Sequence, residues 1–199
     1  MPRQLRDRSD LCAKALDLFA LHGYKGTSIS MIAKALGTSK ANLYHYCSSK
    51  EDLFYKVHQY FSETRIIPII EEAEKLPDPR DRIVFVLKRI TLMNATDKAT
   101  RVLVPDIINL NKSHHSEIVS IWRKAYDIVC NSIKELQQSG KAAKFRDSFL
   151  TLIGFGMANW VVFWFDYSRQ CNTEELAETL VQTFLYGVLQ PKNKGASTS

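Results

Sequence analysis

The side chains best suited to bind another molecule lie in one short window of the sequence, at Lys40, Asn42, Tyr44 and His45. Ammonium, amide, phenol and imidazole groups hydrogen-bond to the phosphate oxygens and base edges of DNA. Leu43 lies among them and is expected to point toward a core. The window therefore predicts contact with nucleic acid. A small helical bundle whose polar residues are only solvated is the alternative.

Three short helices must position this window. Apolar residues recur at helical spacing from about residue 5 to residue 22, and Gly23 follows as a helix end. A second helix stops at Gly37, and Ser39 caps a third helix that runs to about Tyr46. Three short helices joined by two tight, glycine-marked turns form a helix-turn-helix arrangement.

Positive charge is concentrated at the same end of the 199-residue chain, which carries a formal net charge of +6. Residues 1 to 50 contain eight basic and three acidic residues, so residues 51 to 199 hold only +1. This asymmetry predicts an anionic partner for the first quarter of the chain, and it favours nucleic acid over a membrane surface. Arg3, Arg6 and Arg8 form either a mobile arm that follows a DNA backbone or a solvated, partly disordered end.

The composition excludes several classes of protein. A hydrophobic content of 45% and a charged content of 24% are average for globular chains and argue against wholesale disorder. The four cysteines are too far apart for paired metal ligands or a dense disulfide framework, which favours reduced thiols at Cys12, Cys47, Cys130 and Cys171. The N-terminus has no apolar run of signal-peptide length, so we expect a cytoplasmic protein.

A series of short motifs runs from Leu11 to Phe54. These motifs are Leu18-Phe19, Gly23-Tyr24, Gly26-Thr27-Ser28, Ile32-Ala33, Ala35-Leu36-Gly37, Ser39, Leu43-Tyr44-His45-Tyr46 and Lys50-Glu51-Asp52-Leu53. Each motif is common, but their combination is specific. In this combination the stretch resembles the N-terminal DNA-binding domain of the TetR family of bacterial transcriptional regulators. The resemblance implies that the third helix enters the major groove of double-stranded DNA.

The resemblance also implies DNA contacts residue by residue. The implied positions are Thr27, Ser28, Ser39, Lys40, Ala41, Asn42, Tyr44, His45 and Lys50. Thr27 and Ser28 match phosphate contacts at the start of the second helix, and Lys50 matches one at the start of the fourth. Hydroxyls, N–H groups at helix starts and lysine suit phosphate oxygens. For Tyr44 an alternative is a ring that packs on the core with only its hydroxyl exposed.

Cys47 departs from the family pattern, which usually has a large apolar residue, often phenylalanine, at this place. A cysteine that acts as a small buried hydrophobe would fill the position less fully. A redox-sensing thiol is the alternative, although no basic residue lies closer in the sequence than Lys50.

The rest of the chain is predicted to be almost entirely helical. The stretch from Lys50 to about Leu76 has an apolar face, and Pro68 is expected to kink or break it. Further helices are predicted at about 82–93, 100–110, 117–138, 148–165 and from 173 onward. We therefore expect an all-α fold of about nine helices. Its expected parts are a helix-turn-helix domain at 1–48, a larger ligand-binding and dimerisation bundle at 49–190, and a disordered tail at 191–199.

The segment between Asp147 and Asp166 has 18 residues without a charge. This length is near the lower limit for a membrane span, but Gly154, Gly156 and Asn159 interrupt it and no basic cluster flanks it. A buried or dimer-forming helix is therefore favoured, and no membrane contact is expected. The resemblance implies a homodimer formed by the last two helices, which would read a palindromic operator through two major grooves.

An aromatic cluster on the same helix indicates a ligand. Phe155, Asn159, Trp160, Phe163 and Trp164 resemble the Asn-Trp and Trp pattern of family members that respond to acyl-CoA or related thioesters. In several of those members a basic or polar residue stands at the position of Phe163. The alternative is an aromatic stripe that serves the core and the dimer.

Two adjacent histidines invite a test for a metal site. His114, His115 and Glu117 lack the H-E-x-x-H spacing, and adjacent side chains on a helix point about 100 degrees apart. We therefore predict a solvated helix start and no metal. The sequence has no phosphate loop, nucleophile elbow or metal signature, so we expect neither a cofactor nor catalytic activity.

The residues and the resemblance together predict a homodimeric transcriptional repressor. It would leave its operator when a small hydrophobic inducer binds the C-terminal part. A second hypothesis, which would rest on the aromatic helix alone, is a small helical enzyme or carrier of hydrophobic ligands. A third is an architectural protein that binds DNA without sequence preference.

Overall fold

The computed structural model of the chain describes residues 8–165 and 171–186, apart from the side chain of Arg8. The α-helical segments are α1 (Arg8–Gly26), α2 (Ile29–Ala35), α3 (Lys40–Leu43), α4 (Lys50–Phe61), α5 (Ile67–Glu74), α6 (Pro79–Thr96), α7 (Thr100–Asp106), α8 (Lys112–Gln138), α9 (Asp147–Trp164) and α10 (Thr173–Tyr186). A π-helical turn, Ser62–Ile66, joins α4 to α5 without a break. With that run counted as one, the described residues form nine helices and no strand, which confirms the all-α prediction.

The first three helices form the predicted helix-turn-helix. Gly23 interrupts α1 with φ at 70° and ψ at 170°, a conformation that favours glycine, as expected of a helix end. Gly37 follows the second helix with φ at 64°. The side chains of Ser28 and Ser39 cap α2 and α3 by accepting from backbone N–H groups. The two glycine turns and the Ser39 cap therefore lie where the sequence predicts them.

The α4 and α5 helices form one rod whose hydrogen-bond pattern changes in the middle. Pro68, which has no N–H to donate, lies in the first turn of α5, directly after the π turn. The carbonyl oxygen four residues before it, that of Thr64, accepts from the Arg65 guanidinium at 3.4 Å. Arg65 also pairs with Asp97 at 3.1 Å. The disturbance predicted at Pro68 is therefore a wider helical turn rather than a break.

The α6 helix lies at the centre of the larger part, with α8, α9 and α10 packed against it. Asp78 caps α6 by accepting from two backbone N–H groups, and Pro79 opens the helix. Asn111 caps α8, so this helix begins earlier than the predicted start at Glu117. Buried apolar side chains form one cluster that extends from the helix-turn-helix into this bundle, so the two parts share a core.

The α9 helix is the uncharged segment identified in the sequence, and its two faces differ. The face buried in the bundle consists of Thr151, Gly154, Ala158 and Val162. Gly154 packs closely there, because a Cβ at this position would lie 3.1 Å from the Phe184 ring. Gly156 has open space around it, so it does not support a close helix crossing within the protomer. In the described ranges, no helix is long and apolar enough to cross a membrane.

Some predictions concern residues outside the described ranges. The expected tail at 191–199, Arg3 and Arg6, and the end of the helix predicted from residue 173 onward all lie there. The domain boundaries at residues 48 and 190 also stay predictions.

Candidate nucleic-acid interface and ligand cavity

The predicted reading helix presents its polar side chains to solvent. Lys40, Ala41 and His45 are exposed, and Tyr44 is 51% exposed. Leu43 is fully buried and holds the helix on the core. Backbone hydrogen bonds continue past α3, since the N–H of Tyr44 donates to the Lys40 carbonyl and that of His45 to the Asn42 carbonyl. The exposure of Tyr44 fits a DNA contact better than a ring packed on the core.

Three other residues predicted to contact DNA make hydrogen bonds within the protein. The Asn42 side-chain amide donates to the Thr38 hydroxyl at 2.7 Å. The Ser39 hydroxyl accepts from the Asn42 N–H at 3.1 Å, and the Ser28 hydroxyl accepts from the Met31 N–H at 3.2 Å. Both serines are exposed, and each keeps its own O–H as a donor. Ser28 and Ser39 can therefore cap their helices and donate to a phosphate at the same time.

Thr27 differs from these serines and corrects the prediction of a phosphate contact. It is only 1% exposed, and its hydroxyl lies 2.8 Å from the Gly23 carbonyl oxygen and 3.1 Å from that of Leu18. A buried hydroxyl that donates to the main chain is not available to a phosphate. We therefore assign Thr27 to the junction of α1 and α2 in place of the DNA surface.

Lys50 lies in the first turn of α4 and is half-buried. Its ammonium group lies 4.3 Å from the centre of the Tyr24 ring, within the range of a cation–π contact. Burial lowers the pKa of Lys50, and the Asp106 carboxylate opposes that shift. Lys50 therefore packs on Tyr24 at the edge of the predicted DNA surface.

The Cys47 thiol is buried, and it donates toward the Leu43 carbonyl at 3.5 Å. Burial raises the pKa of Cys47, while Lys56 lowers it and Asp52 raises it to a smaller extent. A buried thiol with a raised pKa reacts poorly with oxidants. The surroundings of Cys47 fit the small buried hydrophobe better than the redox sensor.

An apolar cavity of about 460 Å³ opens between the helices of the larger part. Its wall includes Phe61 of α4, Ile66 of the π turn, Met93 and Asn94 of α6, Val104 of α7, Val119 and Trp122 of α8, and Phe155 and Asn159 of α9. Phe155 and Asn159 are two of the five predicted ligand residues. The Asn94 amide donates to the Asn159 side-chain oxygen at 3.2 Å, which fixes a polar point in a largely apolar wall.

The other three predicted ligand residues lie on the outer face of α9. Trp160, Phe163 and Trp164 are 60%, 53% and 73% exposed. They continue a stripe of exposed apolar side chains that begins at Phe149 and Ile153. The structure therefore does not bring the five residues together. Consecutive helical positions point about 100° apart, which separates one aromatic cluster in the sequence into two surfaces.

Sequence reasoning missed two long-range contacts near the helix-turn-helix: one joins α1 to α7, and the other joins the first turn of α4, which directly follows the helix-turn-helix, to the start of α8. The Asp106 carboxylate of α7 accepts from the Tyr24 N–H at 2.8 Å, across 82 residues of sequence. The Glu51 carboxylate accepts from the Asn111 N–H at 3.0 Å, across 60 residues. Glu51 also lies 2.9 Å from Nδ1 of His114. No local pattern predicts partners at such separations.

His114 therefore belongs to a contact between α8 and the first turn of α4, and it is not the solvated residue expected from the sequence. Its ring stacks on Tyr55 with 3.8 Å between the ring centres. Within residues 8–165 and 171–186, no group of three or more His, Cys, Asp or Glu residues could hold a metal ion.

Two family models match the chain. Residues 11–57 match the model described as bacterial regulatory proteins, tetR family. Residues 77–188 match the model described as tetracyclin repressor-like, C-terminal domain. The first match contains the helix-turn-helix, and the second contains the helices from α6 to α10, which form much of the cavity.

A curated relative and two solved structures agree with these matches. HTH-type transcriptional repressor AcnR of Corynebacterium diphtheriae is 26% identical over 102 residues, which are 47% of this chain and 53% of AcnR. The chain thus spans about half the length of that relative. AibR, solved in complex with isovaleryl coenzyme A and operator DNA, has a TM-score of 0.82 at 21% identity, covering 90% of this chain and 99% of AibR. FadR from Bacillus subtilis, solved with stearoyl-CoA, has a TM-score of 0.77 at 18% identity, covering 92% and 100%.

At these identities the two solved structures show the shared fold alone, whereas the family models cover both parts of the chain. The matched family consists of regulators of transcription rather than enzymes. The helix-turn-helix with its exposed α3 lies within the first match, and most of the helices that form the cavity lie within the second. The chain belongs to the TetR family of bacterial transcriptional regulators, and its helix-turn-helix is a DNA-binding domain.

Proposed function

We propose that the protein is a homodimeric repressor that leaves a palindromic operator when an acyl-CoA or a related thioester occupies the apolar cavity. The main support is that α7 and α8, which line the cavity, also make the contacts to α1 and to the first turn of α4, directly after the helix-turn-helix. Val104 in the wall and Asp106 at the first contact both lie on α7. Val119 in the wall and His114 at the second contact both lie on α8. A ligand that moves α7 would displace α1 of the helix-turn-helix directly, and one that moves α8 would displace it through α4.

The size of the response depends on how differently the ligand binds the two conformations. A ligand shifts the equilibrium only by its preference for the conformation that does not bind the operator. To weaken operator binding 100-fold, it must bind that conformation about 100-fold more tightly, which is about 2.7 kcal/mol. AibR and FadR were each solved with a coenzyme A ester, and this supports the choice of ligand. The apolar wall of the cavity supports it as well.

DNA binding is tested by fluorescence anisotropy with DNA from upstream of the protein's own gene. Lys40→Ala should weaken binding about tenfold, whereas Lys144→Ala, which also removes an exposed lysine, should have little effect. Binding of the wild type should also fall steeply as salt is added, because phosphate contacts release counterions. Unchanged affinity for both Lys40→Ala and Tyr44→Ala would exclude α3 as the reading helix.

Ligand response is tested by adding octanoyl-CoA to the operator complex. Val119 lies in the cavity wall and is 37% exposed, so a tryptophan there narrows the cavity without entering the core. Val119→Trp should remain bound to the operator, whereas Ser120→Trp, a matched change at an exposed neighbour, should be released like the wild type. Failure of octanoyl-CoA to release the wild type would exclude this class of inducer. Equal release of both variants would exclude the cavity as its site.

Dimerisation is proposed to use the exposed apolar face of α9. An aromatic stripe of this kind on a single helix marks a protein contact rather than a solvated surface. Trp160→Glu combined with Trp164→Glu should therefore convert the dimer to a monomer in sedimentation experiments. Leu21→Glu is the control, because Leu21 is 75% exposed on α1, away from this face. Loss of the dimer in the control, or its survival in the double variant, would place the interface elsewhere.

A further inference from the structure

A buried histidine beside the cavity makes no hydrogen bond to any of the described residues. His58 of α4 is fully buried, and neither Nδ1 nor Nε2 of its ring is paired in the described part of the chain. The ring packs edge-on against Phe54 with 4.6 Å between the ring centres. Buried polar groups are almost always paired, so a ring with two unpaired nitrogens calls for an explanation.

Two more unpaired groups lie beside this ring. The Ser62 hydroxyl is fully buried and has no hydrogen-bond partner in the part of the chain that the structure describes. It follows His58 by four residues, on the same face of the helix. The indole N–H of Trp122, on α8, is also buried and unpaired, and its ring centre lies 6.4 Å from that of His58. Three unpaired polar side chains are therefore grouped between α4 and α8.

This group adjoins the apolar cavity. Trp122 is itself part of the cavity wall, and so are Phe61 and Ile66, which precede and follow Ser62 in the sequence. Ser62 is also the first residue of the π turn, and single π turns inside helices often mark functional sites. The cavity therefore borders the polar group through Trp122, which belongs to both.

The chemistry of the three side chains specifies what they can bind. Burial lowers the pKa of His58 from 6.5 to about 3, and His115 contributes to a smaller extent, so the ring is neutral. A neutral imidazole supplies one donor and one acceptor, the indole supplies a donor, and the serine hydroxyl supplies either. The charged residue of the cavity wall, Arg123, is 68% exposed and pairs with Asp127 at 3.6 Å. A buried carboxylate would find no cation here, whereas an uncharged oxygen would find donors.

We propose that His58, Ser62 and Trp122 form a polar subsite of the cavity that binds an uncharged oxygen, a carbonyl or hydroxyl, of an otherwise apolar ligand. The inference rests on the proposed ligand cavity and adds the class of polar group that the ligand must carry. A thioester carbonyl and the oxygen of a free ketone or alcohol share this chemistry. The subsite selects ligands that carry one neutral hydrogen-bonding group, and the apolar wall contacts the rest of the ligand.

The first test compares octanoyl-CoA with S-octyl-CoA, a thioether that lacks the carbonyl, by calorimetric titration of the full-length protein. The wild type should bind octanoyl-CoA about tenfold more tightly, as expected for hydrogen bonds to a buried carbonyl. His58→Phe should reduce this preference, because only the Ser62 hydroxyl and the Trp122 N–H remain to bind the carbonyl. His58→Gln keeps a donor and an acceptor and should restore part of the preference. Equal binding of the two compounds by the wild type would overturn the thioester carbonyl as the bound oxygen.

The second test uses NMR of the histidine rings in the wild type, so it does not depend on any variant binding ligand. The His58 signal, identified by its loss in His58→Phe or His58→Gln, should shift when 2-nonanone is added and not when nonanoate is added. A shift with 2-nonanone but none with octanoyl-CoA would keep the subsite and reject the thioester as the source of the oxygen. If the probes bind but none of them shifts the His58 signal, the proposed subsite is wrong, whereas the proposed ligand cavity is retained. No binding of any probe would overturn the proposed ligand cavity and the subsite with it.

Discussion

Replacing His58 with phenylalanine should flatten the dependence of stability on pH. The histidine is fully buried, and burial, with a smaller contribution from His115, lowers its pKa from 6.5 to about 3. Between these two values the unfolded chain binds a proton at this residue and the folded protein does not. Protons bound only by the unfolded state reduce the free energy of unfolding as the pH falls through that window.

The magnitude follows from the two pKa values. At pH 5.0 the proton bound by the unfolded chain lowers the free energy of unfolding by about 2 kcal/mol relative to pH 7.5. This value depends mainly on the unfolded-state pKa, because pH 5.0 lies well above the folded-state value. Phenylalanine keeps a planar ring that can pack on Phe54, and it does not titrate. The His58→Phe variant should therefore lose about 2 kcal/mol less than the wild type between pH 7.5 and 5.0.

Urea denaturation at both pH values, at one fixed protomer concentration, measures this difference. His22→Phe is the matched control, because it removes an exposed histidine from α1, and it should follow the wild type. Parallel losses in the wild type and His58→Phe would show that the folded protein accepts a proton at His58. That result would refute the reasoning from burial.

Three further experiments probe separate contacts. Asp106→Ala removes the acceptor that joins α7 to α1. Octanoyl-CoA should still bind this variant in calorimetry, but it should weaken operator binding several-fold less than in the wild type. An unchanged effect of octanoyl-CoA on operator affinity would exclude this link. Gly154→Leu would overlap the Phe184 ring of α10, whereas Gly156→Ala, the control, faces open space. The leucine variant should have a free energy of unfolding about 1–3 kcal/mol lower than that of the control. Equal stabilities of the two variants would contradict the close packing at Gly154. Ellman's reagent should label Cys171 in the native protein and Cys47 only after unfolding, because Cys171 is exposed and Cys47 is buried. Rapid labelling of Cys47 in the native protein would instead support the redox-sensor hypothesis.

The parts of the fold that follow from local rules were predictable from the sequence. Ser28, Ser39 and Asp78 cap helices because a short side-chain oxygen reaches the next free N–H, whatever lies further away. Gly23 and Gly37 turn the chain for the equally local reason that they lack a Cβ. These rules also position α3, whose exposed residues were identified correctly as surface groups.

The site could be predicted only in part, because neighbouring residues in the sequence face different surroundings in space. Thr27 and Ser28 are both hydroxyl residues at a helix start, yet one is buried and the other exposed, and only the packing of α1 decides which. Asn159 and Trp160 are adjacent, yet one lines the cavity and the other lies on the outer face of α9. When a helix is apolar on both faces, periodicity cannot tell which face meets the core.

The two faces of α9 have different consequences for how the protein can change. In the proposed dimer the outer face meets its own copy across a two-fold axis, so each substitution there enters the interface twice and must be compatible with itself. A substitution at Phe155 or Asn159, on the cavity side, enters each protomer once and has no such constraint. One helix can therefore retain its partner while its ligand changes.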